Sequence, residues 1–447
     1  MLNKILKQFQ GDGLKSNLMR SGLASIVIKI LGICFSLITA VILARALGPE
    51  QYGVYSYVLA IVSILAIPAM FGLPTLIVRE TVKAEIKQEW GLMSGLWSWA
   101  NRITASLSIL IALIAAIVLW LNRDSFSQIQ FLTFAWGIAF IPLSALAALR
   151  GASLRGLRKV IQGQLPEGIL KPLLFIMALV VVSLLGNTKI TAASAMMFNA
   201  LSAGVAFIFG AWLLSRVKPK QLKKSTKKYS KKAWMASVIP LAMVAGLDIL
   251  IHQTDIVMLG LLGTTEDVGI YRVAVQGATL ITIGTAMIQM VANPYFSRFH
   301  SQNNFEKLSK LITMSARAAF IIVLPIAILF IFFGDWFILL VFGDAYVASY
   351  YPLIILTIAQ LIHVGVGLGG PILNMCGYEK GTLYAQVFAV ITNLILNFLF
   401  IPIWGVKGAA WATFVAIIVR KIAIWLMVYK HLKIDTSIIG IKFKRGM

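Results

Sequence analysis

Residues 42–55 read ILARALGPEQYGVY, a short polar link between two long apolar runs. Gly48 and Gly53 permit a turn, Pro49 stops the preceding helix, and Arg45 complements the negative end of that helix's dipole. The stretch therefore reads as a tight helical hairpin. About 215 residues downstream, MLGLLGTTEDVGIY (258–271) answers it: LGPEQYGVY is matched by LGTTEDVGIY with one residue inserted. Two more echoes keep a similar offset, RGLRKVIQGQ (155–164) with CGYEKGTLYAQ (376–386), and GNTKITAASA (186–195) with GVKGAAWA (405–412). Three echoes in order describe a chain built from two related halves.

Composition gives the halves their setting. Hydrophobic residues make up 59% of the chain and charged ones 13%, and the mean hydropathy is +0.88, which is a membrane protein's profile. Apolar runs long enough to cross ~30 Å of hydrocarbon, about 20 residues each, recur twelve times. They lie near 22–47, 54–78, 97–121, 129–149, 165–185, 190–215, 233–262, 268–292, 310–333, 351–375, 381–403 and 408–429. The expected fold is an all-α polytopic membrane protein, because helices satisfy their own backbone groups in lipid. No stretch is left for a soluble domain. The first run is too long for a signal peptide and reads as a retained span. Cys34 and Cys376 lie too far apart in depth for a disulfide and lack metal-ligand spacing.

The net charge of +24 is distributed by side. With the N-terminus inside, the loops and tails on that side hold 29 of the 40 lysines and arginines, the opposite loops hold 5, and the spans hold 6. This is a strong positive-inside pattern, and it places both termini in the cytoplasm. The largest block, RVKPKQLKKSTKKYSKK (216–232), reads as a solvated basic linker beside anionic membrane lipid. It contains one tyrosine and no interleaved stacking residues, so nucleic acid is not an expected partner. The linker separates an N-terminal six-helix lobe (1–215) from a C-terminal one (233–447). Six is even, so both lobes insert with the same orientation.

The stretches LARALGPEQYGVYSYVLAI (43–61), GLPTLIVRE (72–80), DIVMLGLLGTTEDVGIYRVA (255–274) and GVKGAAWATFVA (405–416) together resemble the polysaccharide-transporter branch of the multidrug/oligosaccharidyl-lipid/polysaccharide exporter superfamily, which contains the O-antigen repeat-unit flippases. The resemblance covers essentially the whole chain. It implies two six-helix lobes around a central cavity in the bacterial cytoplasmic membrane. The implied cargo is a polyprenyl-diphosphate-linked oligosaccharide, moved to the outer leaflet by alternating access, with a polysaccharide polymerase or other assembly proteins as partners. A cation-coupled multidrug exporter of the same superfamily is the alternative. A membrane polymerase or ligase is a more distant one, since the longest outer connection is short and carries only Asp335 and Asp344 as acids. No phosphate loop, metal motif or nucleophile elbow is present, so neither a catalytic residue, a metal site nor a cofactor is expected.

Ionisable residues inside spans are costly and mark candidate sites. Lys29, Arg102, Lys171, Arg317, Arg420 and Lys421 all fall toward the cytoplasmic ends of their spans, as expected of a basic vestibule that captures a diphosphate; snorkelling to the headgroups is the competing reading. Trp97 and Trp99 read as interfacial markers beside Arg102. Asp248, His252 and Asp255 recur at helical spacing and are candidates to couple transport to a proton or sodium ion, with a packed polar stripe as the alternative. Glu167 precedes Lys171 by one turn and reads as its local ion-pair partner. Arg45 is a candidate outer-gate residue. Prolines 68, 74, 142, 172, 240 and 325 interrupt spans as kinks or hinges, and VGVGLGGP (364–371) allows either flexibility or close helix contact.

Overall fold

A computed structural model describes residues 14–185 and 189–440; the start of the third echo, 186–188, and the outermost tails lie outside them. Among the described residues there is no strand. The helices are α1 (Leu14–Met70), α2 (Leu73–Ile86), α3 (Trp90–Leu121), α4 (Gln128–Gly156), α5 (Val160–Leu185), α6 (Ala192–Val217), α7 (Lys231–Leu262), α8 (Thr265–Ser301), α9 (Phe305–Val341), α10 (Tyr350–Gly365), α11 (Gly369–Met375), α12 (Glu379–Trp404) and α13 (Val406–Leu432).

Among the described residues, ten helical stretches are long and apolar enough to cross a membrane, α10 only together with the 3-10 turn that leads into it (Asp344–Gly365), or eleven if the bent α8 is taken as one span. The difference from the twelve crossings expected lies in two interrupted helices. The first apolar stretch, Val27–Met70, has 44 residues, or ~66 Å at 1.5 Å each, twice the hydrocarbon thickness. It breaks at Gly48 (φ 71°, ψ 171°), so the expected turn is one residue in a conformation that glycine adopts freely. The second is α8, bent by 42° between Gln289 and Val291. Large apolar side chains such as Leu184, Ile208, Ile321 and Phe332 lie exposed on the flanks, as a lipid-facing surface requires.

The chain forms two compact units: residues 1–42 with 61–246, and residues 43–60 with 247–447. Both α1 and α7 contribute to each. In the first unit, Leu73, Leu76, Ile77, Met93, Leu96, Leu149 and Trp234 form one core. Trp97 and Trp99 belong to it rather than to an interfacial belt, because the Trp97 indole finds a buried partner, donating to Thr81 Oγ1 at 2.9 Å, and the Trp99 ring packs 5.3 Å from that of Trp234. The basic segment is not wholly solvated either. Lys228 N donates to Gly91 O at 2.9 Å, and a Cβ on Gly95 would lie 1.8 Å from Lys228 O. The backbone is docked on α3 while the Lys227, Lys228, Lys231 and Lys232 side chains stay exposed.

In the second unit, Phe296, Leu308, Ile312, Leu368, Ile372, Leu373, Ile424 and Val428 form the core. The stretches that echo each other meet here. Gly53 packs on Thr265, and Gly269 packs on Pro49. Arg45 donates from Nε to Val341 O at 2.8 Å and from Nη2 to Leu340 O. It therefore caps the carbonyl end of α9 rather than that of its own helix.

Candidate functional site

The three polar residues of α7 separate in the structure. Asp248 and His252 are exposed, whereas Asp255 is 5% exposed and enclosed by hydroxyls and amides. Tyr271 Oη on α8 donates to Asp255 Oδ2 at 2.8 Å, and Thr413 Oγ1 on α13 donates to the same oxygen. Asn393 and Asn397, one turn apart on α12, each donate from Nδ2 to Asp255 Oδ1 at 2.8 Å. Four donors from three other helices thus converge on one carboxylate. The Oδ1 atoms of Asn393 and Asn397 are buried without a hydrogen-bond partner. Amide oxygen and nitrogen exchange places by a simple flip, so the same five side chains can present a ring of oxygens to a small hard cation.

A second polar centre lies where the glycine run breaks its helix. α10 ends at Gly365 and α11 begins at Gly369. Gly367, with φ 93°, sits in the break. Beside it a cavity of about 310 Å³ is lined by Asp248, His363, Arg420 and Lys421, with Gln289, Asn374, Thr382 and Gln386 among its other polar residues. Lys421 Nζ donates to Gly367 O at 2.7 Å. Arg420 Nε, His363 Nδ1 and Thr382 Oγ1 are buried and unpaired, leaving hydrogen-bonding capacity for a polar occupant. Two cations against one carboxylate give the cavity a positive bias.

The other sequence candidates lie elsewhere. Arg317 is exposed and donates to Ile438 O at 2.9 Å and Ile439 O at 3.2 Å. Lys29 and Arg102 are exposed. Lys171 Nζ lies 4.4 Å over the Phe140 ring, and the ion pair of Glu167 is with Arg150, at 3.8 Å. Sequence reasoning missed Arg150, which it placed just past a span. The residue is 7% exposed and donates from Nη1 to Phe207 O. Glu167 reaches it from a π-helical turn, Pro166–Leu170, a local widening that recurs at functional sites. The partners of Asp255 were also missed, although two asparagines four apart in the apolar run NLILN (393–397) carry a readable signal.

Comparison with known proteins places this geometry in context. Residues 18–300 match the family model of the polysaccharide biosynthesis proteins, and residues 240–399 match the MatE model. The chain is 27% identical over 434 residues to the probable low-salt glycan biosynthesis flippase Agl15 of Haloferax volcanii, covering 96% of this chain and 85% of that protein. It is 26% identical over 171 residues to the probable flippase AglR of the same organism, covering 38% and 36%. Its fold is that of an inward-facing multidrug resistance MATE family transporter of the MOP superfamily (TM-score 0.73, 14% identity, 92% and 98% covered) and of the lipid II flippase MurJ in an inward closed conformation (0.70, 15%, 92% and 87%).

Proposed function

The chain belongs to the polysaccharide biosynthesis protein family, and from that premise we propose that it is a flippase for a polyprenyl-diphosphate-linked oligosaccharide, working by alternating access and driven by a cation. The observation that carries the reading is the cavity at the α10–α11 break. A diphosphate leaving the headgroup layer has to exchange water for charged donors, and Arg420 and Lys421 supply them. Around them Gln289, Asn374, Thr382 and Gln386 offer the mixed donors and acceptors that sugar hydroxyls need. The flippase names of the relatives support a lipid-linked glycan over a drug as cargo.

Asp255 supports the coupling step. Its carboxylate and the oxygens of Tyr271, Thr413, Asn393 and Asn397 suit a sodium ion better than a proton, which needs a single acceptor. Sodium would replace the amide donors on Asp255, and its release would restore them. The occupied and empty states thereby differ in how α7, α12 and α13 are tied together, which is the differential contact a coupled transporter requires. With the Arg216–Lys232 segment on the cytoplasmic side, loading occurs there and release on the opposite face, in the assembly of a surface polysaccharide.

The test is translocation in liposomes. Purified protein and a fluorescent polyprenyl-diphosphate oligosaccharide are reconstituted together, and the label reaching the far leaflet is destroyed by an impermeant quencher. Protein-dependent and sodium-gradient-dependent movement, lost in Arg420→Gln/Lys421→Gln, is the expected result. Export of a cationic dye with no movement of the lipid would replace the flippase reading with the drug-exporter one.

A further inference from the structure

α10 ends inside the molecule, and a helix end leaves its last carbonyls without partners. In this chain those carbonyls are capped by residues from two other places. Ile438 N donates to Gly365 O at 3.0 Å, Thr436 Oγ1 donates to Val366 O at 2.7 Å, and Lys421 Nζ donates to Gly367 O at 2.7 Å. Two of the three caps come from a strap, residues 433–440, that folds back from the end of α13. Lys433 turns it in the left-handed conformation (φ 54°). Asp435, 3% exposed, fastens it by accepting from Trp425 Nε1 at 3.0 Å, Ser437 N at 3.0 Å and Ser437 Oγ at 2.7 Å. Thr436 is 1% exposed, and its carbonyl lies where a Cβ on Gly367 would stand, 1.8 Å away. At the far end Arg317 of α9 holds the carbonyls of Ile438 and Ile439, and Gly440 abuts Thr313.

Gly367 thus has the strap on one side and the Lys421 ammonium on its carbonyl, while Lys421 also lines the cavity. We propose that the 433–440 strap is a positioning element for that cavity: Thr436 and Arg317 act through the Gly365–Gly367 carbonyls to hold Lys421 at the wall where an anionic headgroup binds. This rests on the reading of the cavity as a diphosphate site. It assigns Arg317, otherwise a candidate vestibule cation, to fastening the strap. Without the Thr436 hydroxyl the Val366 carbonyl loses its cap, and the Lys421 ammonium, already bonded to the next carbonyl along, Gly367 O, is a donor that can be drawn to it. An ammonium drawn to the helix end is lost to the cavity.

The experiment measures affinity for farnesyl diphosphate, a soluble anionic probe, in detergent-solubilised full-length protein, together with amide exchange over residues 363–370. Thr436→Val keeps the shape and removes the hydroxyl, while Thr436→Ser keeps the hydroxyl. The expected result is roughly threefold to tenfold weaker binding in Thr436→Val and Arg317→Gln, faster exchange at 363–370, an unchanged melting temperature, and recovery of affinity in Thr436→Ser. Lys421→Gln is the reference for the cavity itself. If Lys421→Gln weakens binding while Thr436→Val and Arg317→Gln bind like the unaltered protein, the strap proposal is wrong and the cavity assignment stands. If Lys421→Gln binds the probe as tightly as the unaltered protein, the cavity assignment fails and the proposal fails with it. If Thr436→Ser is as weak as Thr436→Val, the hydroxyl is not what positions Lys421, and the proposal is again overturned.

Discussion

Gly53 and Gly269, the corresponding glycines of the two echoing stretches, pack reciprocally within one unit. A Cβ on Gly53 would lie 1.6 Å from Thr265 O, and one on Gly269 would lie 2.1 Å from Pro49 O. The backbones approach as closely as small residues in membrane helices allow, and neither neighbour is a side chain that can swing away. Gly53→Ala and Gly269→Ala should therefore each destabilise the protein by ~1–3 kcal/mol or more, read as a lowered melting temperature in detergent. Gly48 has no atom within 4 Å of its notional Cβ and only its positive φ to defend, so Gly48→Ala should cost ~1–2 kcal/mol. Equal and negligible losses at Gly53 and Gly269 would show that the close approach is absent.

That contact shows what the sequence could and could not convey. The spans were legible because twenty apolar residues have few other uses, and α12 and α13 lie within a few residues of the runs marked for them. Gly53 was read as part of a turn, since glycine serves turns and close backbone contacts alike and the sequence does not name the opposing chain. Asp255 stood out as an acid in a span. Its separation from Asp248 and His252 depends on Tyr271, Asn393, Asn397 and Thr413, which arrive from three other helices. Arg317 was conspicuous as a charge, but its partners are backbone carbonyls, which no side-chain pattern reveals.

The two acids of α7 should behave differently in a transport assay. Asp255→Asn removes the charge on which four donors converge, so the dependence of transport on a sodium gradient should disappear. Asp248→Asn, seven residues away and exposed, should keep it. Rates are to be compared with and without the gradient. Persistence of the gradient effect in Asp255→Asn would remove Asp255 from the coupling step.

Membrane orientation is open to cysteine labelling. In a Cys34→Ser background, Lys227→Cys should be shielded from an impermeant maleimide in intact cells and Glu266→Cys should react, as the orientation expected from the positive-inside charge pattern requires. The native Cys376 interferes little. Burial pushes its thiol up to about 11, so at neutral pH its thiolate fraction is ~10⁻⁴, against about 3% for an ordinary cysteine. In permeabilised cells its labelling should rise about tenfold per pH unit until pH nears that value. Labelling of Lys227→Cys but not Glu266→Cys would invert the topology.

The sign of one substitution separates the two cargo readings. Asp248 lines the same cavity as Arg420 and Lys421, so an anionic headgroup there meets two attractions and one repulsion, while a cationic drug meets the reverse. For charges ~8 Å apart in a partly hydrated site of effective dielectric ~40, one unit charge is worth about 1 kcal/mol, or roughly fivefold in affinity. Asp248→Asn should then bind a polyprenyl diphosphate about fivefold more tightly than the unaltered protein, and Arg420→Gln should bind it more weakly by a similar or larger factor. Both effects should shrink as salt is raised, since part of the site is open to solvent. Titration of each variant at two ionic strengths measures them. Tighter diphosphate binding in Asp248→Asn is difficult to obtain from a cavity built for cations, because the acid would be the group that such a cavity depends on; weaker binding there would turn the assignment toward the exporter.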